Sequence, residues 1–320
     1  MASEKACFLV EETSRFRMSS GANLQTYSDQ LTDTRVRSSS GIGRPFWVLI
    51  ALYAAARFLQ VFPGRVPMTV VVALHVFPPA IFALLHGAKY YGWRGIGTFI
   101  ALIVVVGNAF ENVGVRTGFP FGRYYFTDLM GPKVSAVPVM LGLAYVGMAY
   151  LAWTLALLIV GDMRKPLVGR RVVVLPVVAA FVMVAWDLSM DPVWATILRA
   201  WVWAKGGPYF GVPVGNFFGW YLAVYVIFQS FALYLQRWPT NRRSMPLGYW
   251  REPLLFYAVS AAGNLLLVIP RSGPTMISDP TGALWKVSDI TGTCALVTIF
   301  TMGVFLLLAW VRLEESKAEF

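Results

Sequence analysis

Six acidic residues stand beside long apolar runs, where a carboxyl group is costly: Glu111, Asp128, Asp187, Asp191, Asp279 and Asp289. A carboxyl taken out of water is a candidate proton donor, and an ionised one can orient and deprotonate water. Two carboxyls in unlike surroundings can divide those roles. Asp187 is the sharpest case, because it follows a long apolar run and is flanked by Trp186. An acid inside a membrane span is a functional hypothesis by default; the alternative is a structural hydrogen-bonding role.

The segment around Glu111 reads Asn108-Ala-Phe-Glu111-Asn112-Val-Gly114, followed by Gly118-Phe-Pro120-Phe-Gly122-Arg123-Tyr124-Tyr125 and Asp128. Asn108 lies about one helical turn before Glu111, on the same face. The glycines and Pro120 predict a compact loop that presents Arg123, Tyr124 and Tyr125. Glu111 then either takes part in chemistry or pairs with Arg116 or Arg123 to fix the loop.

In Trp186-Asp187-Leu-Ser-Met-Asp191-Pro192, the i, i+4 spacing would put both carboxylates on one helical face. Pro192 disfavours helical geometry at Asp191, which favours Asp191 as the N-cap of a new helix with Pro192 at its first position. A third segment, Tyr209-Phe-Gly-Val-Pro213-Val-Gly-Asn216-Phe-Phe-Gly-Trp220, carries Asn216 into an apolar helix. Asn216 either hydrogen-bonds a carboxyl or water, or caps that helix. Trp194, Trp201, Trp203 and Trp220 either line a groove or form an interfacial belt, and the belt is the commoner use.

These residues need elements to hold them, and the composition says which. Of 320 residues, 57% are hydrophobic and 13% charged, about half the usual charged share of a soluble domain. Mean hydropathy is +0.60. The chain therefore reads as an all-α polytopic membrane helix bundle. Eight candidate spans follow: 45–61, 67–86, 95–113, 134–160, 171–190, 215–236, 252–270 and 290–312. Each has roughly the 17 or more residues that a helix needs to cross the bilayer. Runs such as Ile100–Val106 do not alternate in polarity, which argues against a β-barrel. The expected organisation is a disordered cytosolic tail over 1–44, a transmembrane domain over 45–312 and a short C-terminal tail over 313–320.

Net charge is +11, which in a soluble protein would suggest a nucleic-acid partner. Here the distribution decides. With the N terminus inside, eighteen of the 27 Lys and Arg fall on the cytoplasmic side and eight on the other. That bias predicts both termini in the cytoplasm and no nucleic acid. The remaining one, Arg57, lies inside the first span and is expected to snorkel to the outer interface. The same topology puts the six acids named above on the face opposite the basic loops.

Other chemistries find little support. Cys7 and Cys294 imply no disulfide framework. His75 and His86 are three helical turns apart, about 16 Å, too far to share a metal, so no metal and no cofactor are expected. No phosphate-binding Gly-Lys-Ser/Thr loop is present, and no internal repeat of the transporter kind.

Taken together, Glu111-Asn-Val-Gly, Gly118-Phe-Pro-Phe-Gly-Arg-Tyr-Tyr, Asp187 with Asp191-Pro192, and Tyr209-Phe-Gly-Val-Pro with Asn216-Phe-Phe-Gly-Trp resemble the integral-membrane carotenoid biosynthesis family. The resemblance covers roughly 45–312. That family includes carotenoid 1′,2′-hydratases, among them those named for γ-carotene and bisanhydrobacterioruberin. The resemblance implies a cell-membrane enzyme that adds water across the terminal C=C of an acyclic carotenoid end. Its partners would be a long apolar polyene, water, membrane lipids and other carotenoid-pathway enzymes. The expected pair is Asp187 as acid and Glu111 as water-orienting base, or the reverse. Asp128, Asp191, Asn216, Tyr124, Arg123 and Trp220 are the expected supporting residues. Two alternatives use the same residues: a cyclase or isomerase acting through the same carbocation, and a noncatalytic pigment or lipid binding or transport protein.

Overall fold

The computed structural model describes residues 43–62, 64–161, 166–238, 245–269 and 273–316. The expected N-terminal tail therefore lies almost wholly outside the described residues, as do the last four residues of the C-terminal one.

The fold is all-α with three short two-stranded ribbons. Its helices are α1 (Arg44–Leu59), α2 (Met68–Thr117), α3 (Val139–Val160), α4 (Arg171–Pro192), α5 (Val214–Arg237), α6 (Leu247–Leu266), α7 (Val287–Val297) and α8 (Gly303–Glu315). A single π-helical turn, Val193–Ile197, prolongs α4, and another, Thr298–Met302, joins α7 to α8. Proline starts many of these helices. Pro67, Pro138, Pro213 and Pro246 sit at N-caps in extended geometry, where a missing N–H costs nothing to the helix.

Among the described residues, five stretches are long and apolar enough to cross a membrane: Met68–Thr117, Val139–Val160, Arg171–Ile197, Val214–Arg237 and Val287–Glu315. Two of the eight expected spans, 67–86 and 95–113, fall within the 50-residue α2. That helix is broken at Gly92, whose φ of 70° and ψ of 169° are not helical. The 45–61 segment forms α1, only 16 residues long, and the 252–270 segment lies largely in α6. Side chains such as Trp47, Trp93, Val105, Phe218 and Phe300 point outward, as a lipid-facing surface requires.

The core is aromatic. Phe99, Trp153, Phe228 and Phe231 are fully buried and packed ring to ring, and Tyr150 links them to Phe82. They tie α2, α3 and α5 together, so that the helix ends and their connections can carry the site.

Those connections hold the ribbons. Strand β1 (Tyr124–Phe126) pairs antiparallel with β4 (Trp201–Trp203), with Tyr124 opposite Trp203 and Phe126 opposite Trp201. Strands β2 (Lys133–Val134) and β3 (Val137–Pro138) form a tight hairpin, and β5 (Met276–Ser278) pairs with β6 (Leu284–Lys286). Because strand side chains alternate, the β1–β4 ribbon shows two faces. Tyr124, Phe126, Trp201 and Trp203 face one cavity, while Tyr125 and Val202 face a separate outer groove.

Candidate active site

The ribbon closes a cavity whose walls come from α1 to α5 and which contains about 840 Å³ of open space, part of it facing outward. Three carboxyls line it, Glu111, Asp187 and Asp191, and all three are buried.

Glu111 sits in the last turns of α2. Tyr124 donates its hydroxyl to Oε2, and Tyr145 on α3 donates to Oε1 at 2.5 Å. The fixing ion pair with Arg116 or Arg123 does not form: Arg116 donates to Ser135 instead, and two phenols hold the glutamate. Gly118 ends the helix in left-handed geometry with its N–H on the Gly114 carbonyl, a common helix stop. The chain then turns back so that Tyr124 reaches Glu111.

Asp187 and Asp191 share one face of α4, the arrangement set by their spacing. The N-cap expected at Asp191 is not formed, because the helix runs through Asp191 and Pro192 without a break. Pro192 has no N–H for the Leu188 carbonyl, and the Tyr209 hydroxyl donates to that carbonyl instead, at 3.0 Å. With the freed carbonyl satisfied, the proline is tolerated, and the π turn follows immediately. The Asp191 carboxyl accepts from Trp201 Nε1 at 2.8 Å and from Asn216 Nδ2 at 2.9 Å. The same Asn216 amide lies 3.5 Å from Asp187 Oδ2. Asn216 is thus a bridge between two carboxyls; the helix it enters is capped by Pro213.

Trp220 lines the cavity and meets Tyr145 edge-on, with centroids 4.6 Å apart. Trp194, Trp201 and Trp203 also line it, and Trp194 and Trp201 stack in near-parallel planes. These four tryptophans are cavity walls, as the groove-lining alternative expects. Trp201 and Trp203 alternate with Val202 along a fully buried strand, which a helix-only reading overlooks, and that puts both indoles on the cavity side.

Two expected supporting residues lie elsewhere. The Asp128 side chain is fully exposed and pairs with Lys133 at 3.0 Å. The Arg123 side chain is exposed and lies over Gly118, while its backbone carbonyl accepts from Ala204. Of the other acids, Asp279 is tied up in the β5–β6 hairpin and Asp289 is near its own Ser288. Only half of the six acids converge, because an intervening loop can turn a side chain away from a site that its neighbours line.

Three wall residues are not among the expected site residues. Tyr145 stands in a helix that is apolar nearly throughout, and its hydroxyl was the only cue. His75 had been weighed only as a metal ligand. Arg57, expected to snorkel, is 4% exposed and donates to the Ser260 carbonyl at 3.0 Å and to Asn264 Oδ1. The snorkelling expectation is corrected: partners on α6 hold the guanidinium inside.

A model of carotenoid biosynthesis proteins matches residues 66–273 of this chain, a narrower stretch than the 45–312 expected, and the chain belongs to that family. The bisanhydrobacterioruberin hydratase of Haloarcula japonica is 26% identical over 171 residues, which cover 53% of this chain and 56% of that protein. The chain thus spans little more than half the length of this relative. No solved structure matches.

Proposed function

We propose that this protein is a carotenoid hydratase: it adds water across the terminal C=C of an acyclic carotenoid end, giving a tertiary alcohol. The observation that carries the reading is a cavity walled by five tryptophans with Glu111 and Asp187 in the same space. A polar enzyme substrate would not need such walls, and a passive apolar pocket would not need buried acids.

The cavity suits one end group, with the rest of the polyene left outside it. Asp187 has one oxygen with no donor among the described residues, which suits delivery of a proton to the less substituted alkene carbon. The π electrons form the new C–H bond and leave a tertiary cation, which tryptophan faces stabilise. Water attacks that cation through oxygen, and Glu111, oriented by two phenols, accepts the proton released. Return of one proton from Glu111 to Asp187 through the cavity closes the cycle, so only water is consumed. Asp191 and Asn216 hold Asp187 in place.

The protein would cross the cell membrane eight times, with 1–44 and 313–320 as cytoplasmic tails. The charge bias of its connections supports this orientation. It puts the cavity mouth at the outer face, where water is available while the polyene stays in lipid. Membrane lipids would surround it, and other carotenoid-pathway enzymes would supply its substrate.

The test is to express the protein in cells that make lycopene or γ-carotene and to analyse the pigments by mass. A product heavier by one water is expected. An isomeric product would favour the cyclase or isomerase, and no new pigment would leave a binding or transport role.

A further inference from the structure

The cavity has a second polar end, remote in sequence from the acids, and its cation lies outside the 66–273 family match. There the guanidinium of Arg57, on the last turn of α1, is buried with no carboxylate of the described residues within ion-pair distance. Its two hydrogen bonds to α6 both leave from Nη2. Neither Nε nor Nη1 has a hydrogen-bond partner among the described residues, and Nε is fully shielded. Beside it, His75 lines the same cavity and faces the Gln60 side chain at 3.3 Å. Gln60 in turn donates to the Gly263 carbonyl at 2.8 Å. This polar patch lies at the end of α1, where a guanidinium, rather than an acid or a ring, lines the cavity.

Buried donors left unmatched are costly, and an arginine offers up to five of them in a fixed fork. An arginine at an apolar wall is a poor neighbour for a carbocation unless an acceptor oxygen is held between the two. The reaction proposed above brings in two such oxygens, that of water and that of the product alcohol. A water needs about two to four polar partners to be held in a cavity, and Arg57 can supply a donor where the carboxyls supply acceptors.

We infer that Arg57 is a positioning residue for the water that is added. It draws water in at the α1 end of the cavity and holds it by its oxygen, leaving both hydrogens for acceptors until the cation forms. This rests on the hydratase reading and assigns to it the side from which water arrives.

The role separates two fates of the cation. With water in place, oxygen bonds to the tertiary carbon and a proton passes to the base. Without it, the cation loses a proton from an adjacent carbon, and the C–H electrons restore an alkene. In deuterated water the second fate returns the carotenoid carrying deuterium, because the proton first delivered came from an exchanged acid.

The experiment measures, for membranes carrying the full chain in deuterated water, the ratio of hydrated product to deuterium-labelled unhydrated carotenoid. Wild type, Arg57→Met and Arg57→Lys are compared. Arg57→Met is expected to lower the ratio at least ten-fold while deuterium still enters, with Arg57→Lys in between. A wild-type ratio in Arg57→Met would overturn the assignment. So would loss of hydration and exchange together in both variants, which would mark the guanidinium as architectural. If Arg57→Met does not accumulate, a wild-type ratio in Arg57→Lys overturns it. Failure of the wild type itself to hydrate would sink the hydratase reading instead.

Discussion

At the scale of single residues, the account assigns unequal weight to the polar groups that sequence singled out. Positioned acids and bases are worth about 10²- to 10⁴-fold in rate, so Asp187→Asn and Glu111→Gln should each abolish hydrated product while protein remains in the membrane. Tyr145→Phe leaves Glu111 with the Tyr124 hydroxyl alone and should lower the rate by about ten-fold, the effect of roughly 1.4 kcal/mol in the barrier. Asp128→Asn should change nothing measurable, since an exposed ion pair contributes about 1 kcal/mol at most. Pigment analysis of membranes with matched protein levels checks all four. Normal hydration by both carboxyl variants would remove the acid–base assignment. Sequence exposed Asp187 and Glu111 because an acid stands out in an apolar run. It hid Tyr145 because a phenol in such a run costs little, and its use depends on which helix passes opposite. Asp128 misled for the converse reason: proximity in sequence to Glu111 says nothing of which way a loop residue points.

At the scale of elements, close backbone approach sets the site. A Cβ on Gly114 would lie 2.7 Å from Phe121 Cδ2 and 3.0 Å from the Tyr124 hydroxyl. Gly114→Ala should therefore push Tyr124 off Glu111 and lower activity more than stability, as judged by thermal melting in detergent beside the pigment assay. Equal activity with a changed melting temperature would contradict that. The β5–β6 hairpin offers a prediction independent of catalysis. Partial desolvation pushes the Asp279 carboxyl up, but hydrogen bonds from Thr281 and Trp285 side chains and from the Thr281 and Ala283 backbone outweigh it and hold it below its ordinary value. A carboxyl depressed on folding contributes stability above its unfolded value, and that contribution is lost as pH falls through the folded one. Trp285 fluorescence should report loosening of the hairpin only in that acidic window, and Asp279→Asn should remove the pH dependence. A flat wild-type response would refute it. Helices were legible in sequence from apolar run length alone. The ribbons were not, since strands of two or three residues carry too little periodicity, and the unbroken α4 depended on Tyr209 arriving from a distant loop to satisfy Leu188.

For the molecule as a whole, charge distribution matters more than the total. Under the proposed topology the basic excess marks one side and leaves a set of acids on the other, and the fold gathers three of those acids under an aromatic ribbon. The eight-span topology predicts that reporter fusions in the 161–171 and 237–251 connections give a cytoplasmic signal. An outside signal from either would break it. Apolar composition made the membrane bundle readable, whereas the cavity required knowing which helix ends meet. That is why Arg57, assigned to the lipid interface by its position in one helix, proves to be an inward-facing wall residue once α6 is seen to hold it.

The most direct test of the central claim is the mass of the product formed by the purified protein, in lipid vesicles, from an acyclic-ended carotenoid in oxygen-18 water. The account predicts a tertiary alcohol heavier than the substrate by one water that carries the label. A product of unchanged mass, or an oxygenated one without label, would contradict it.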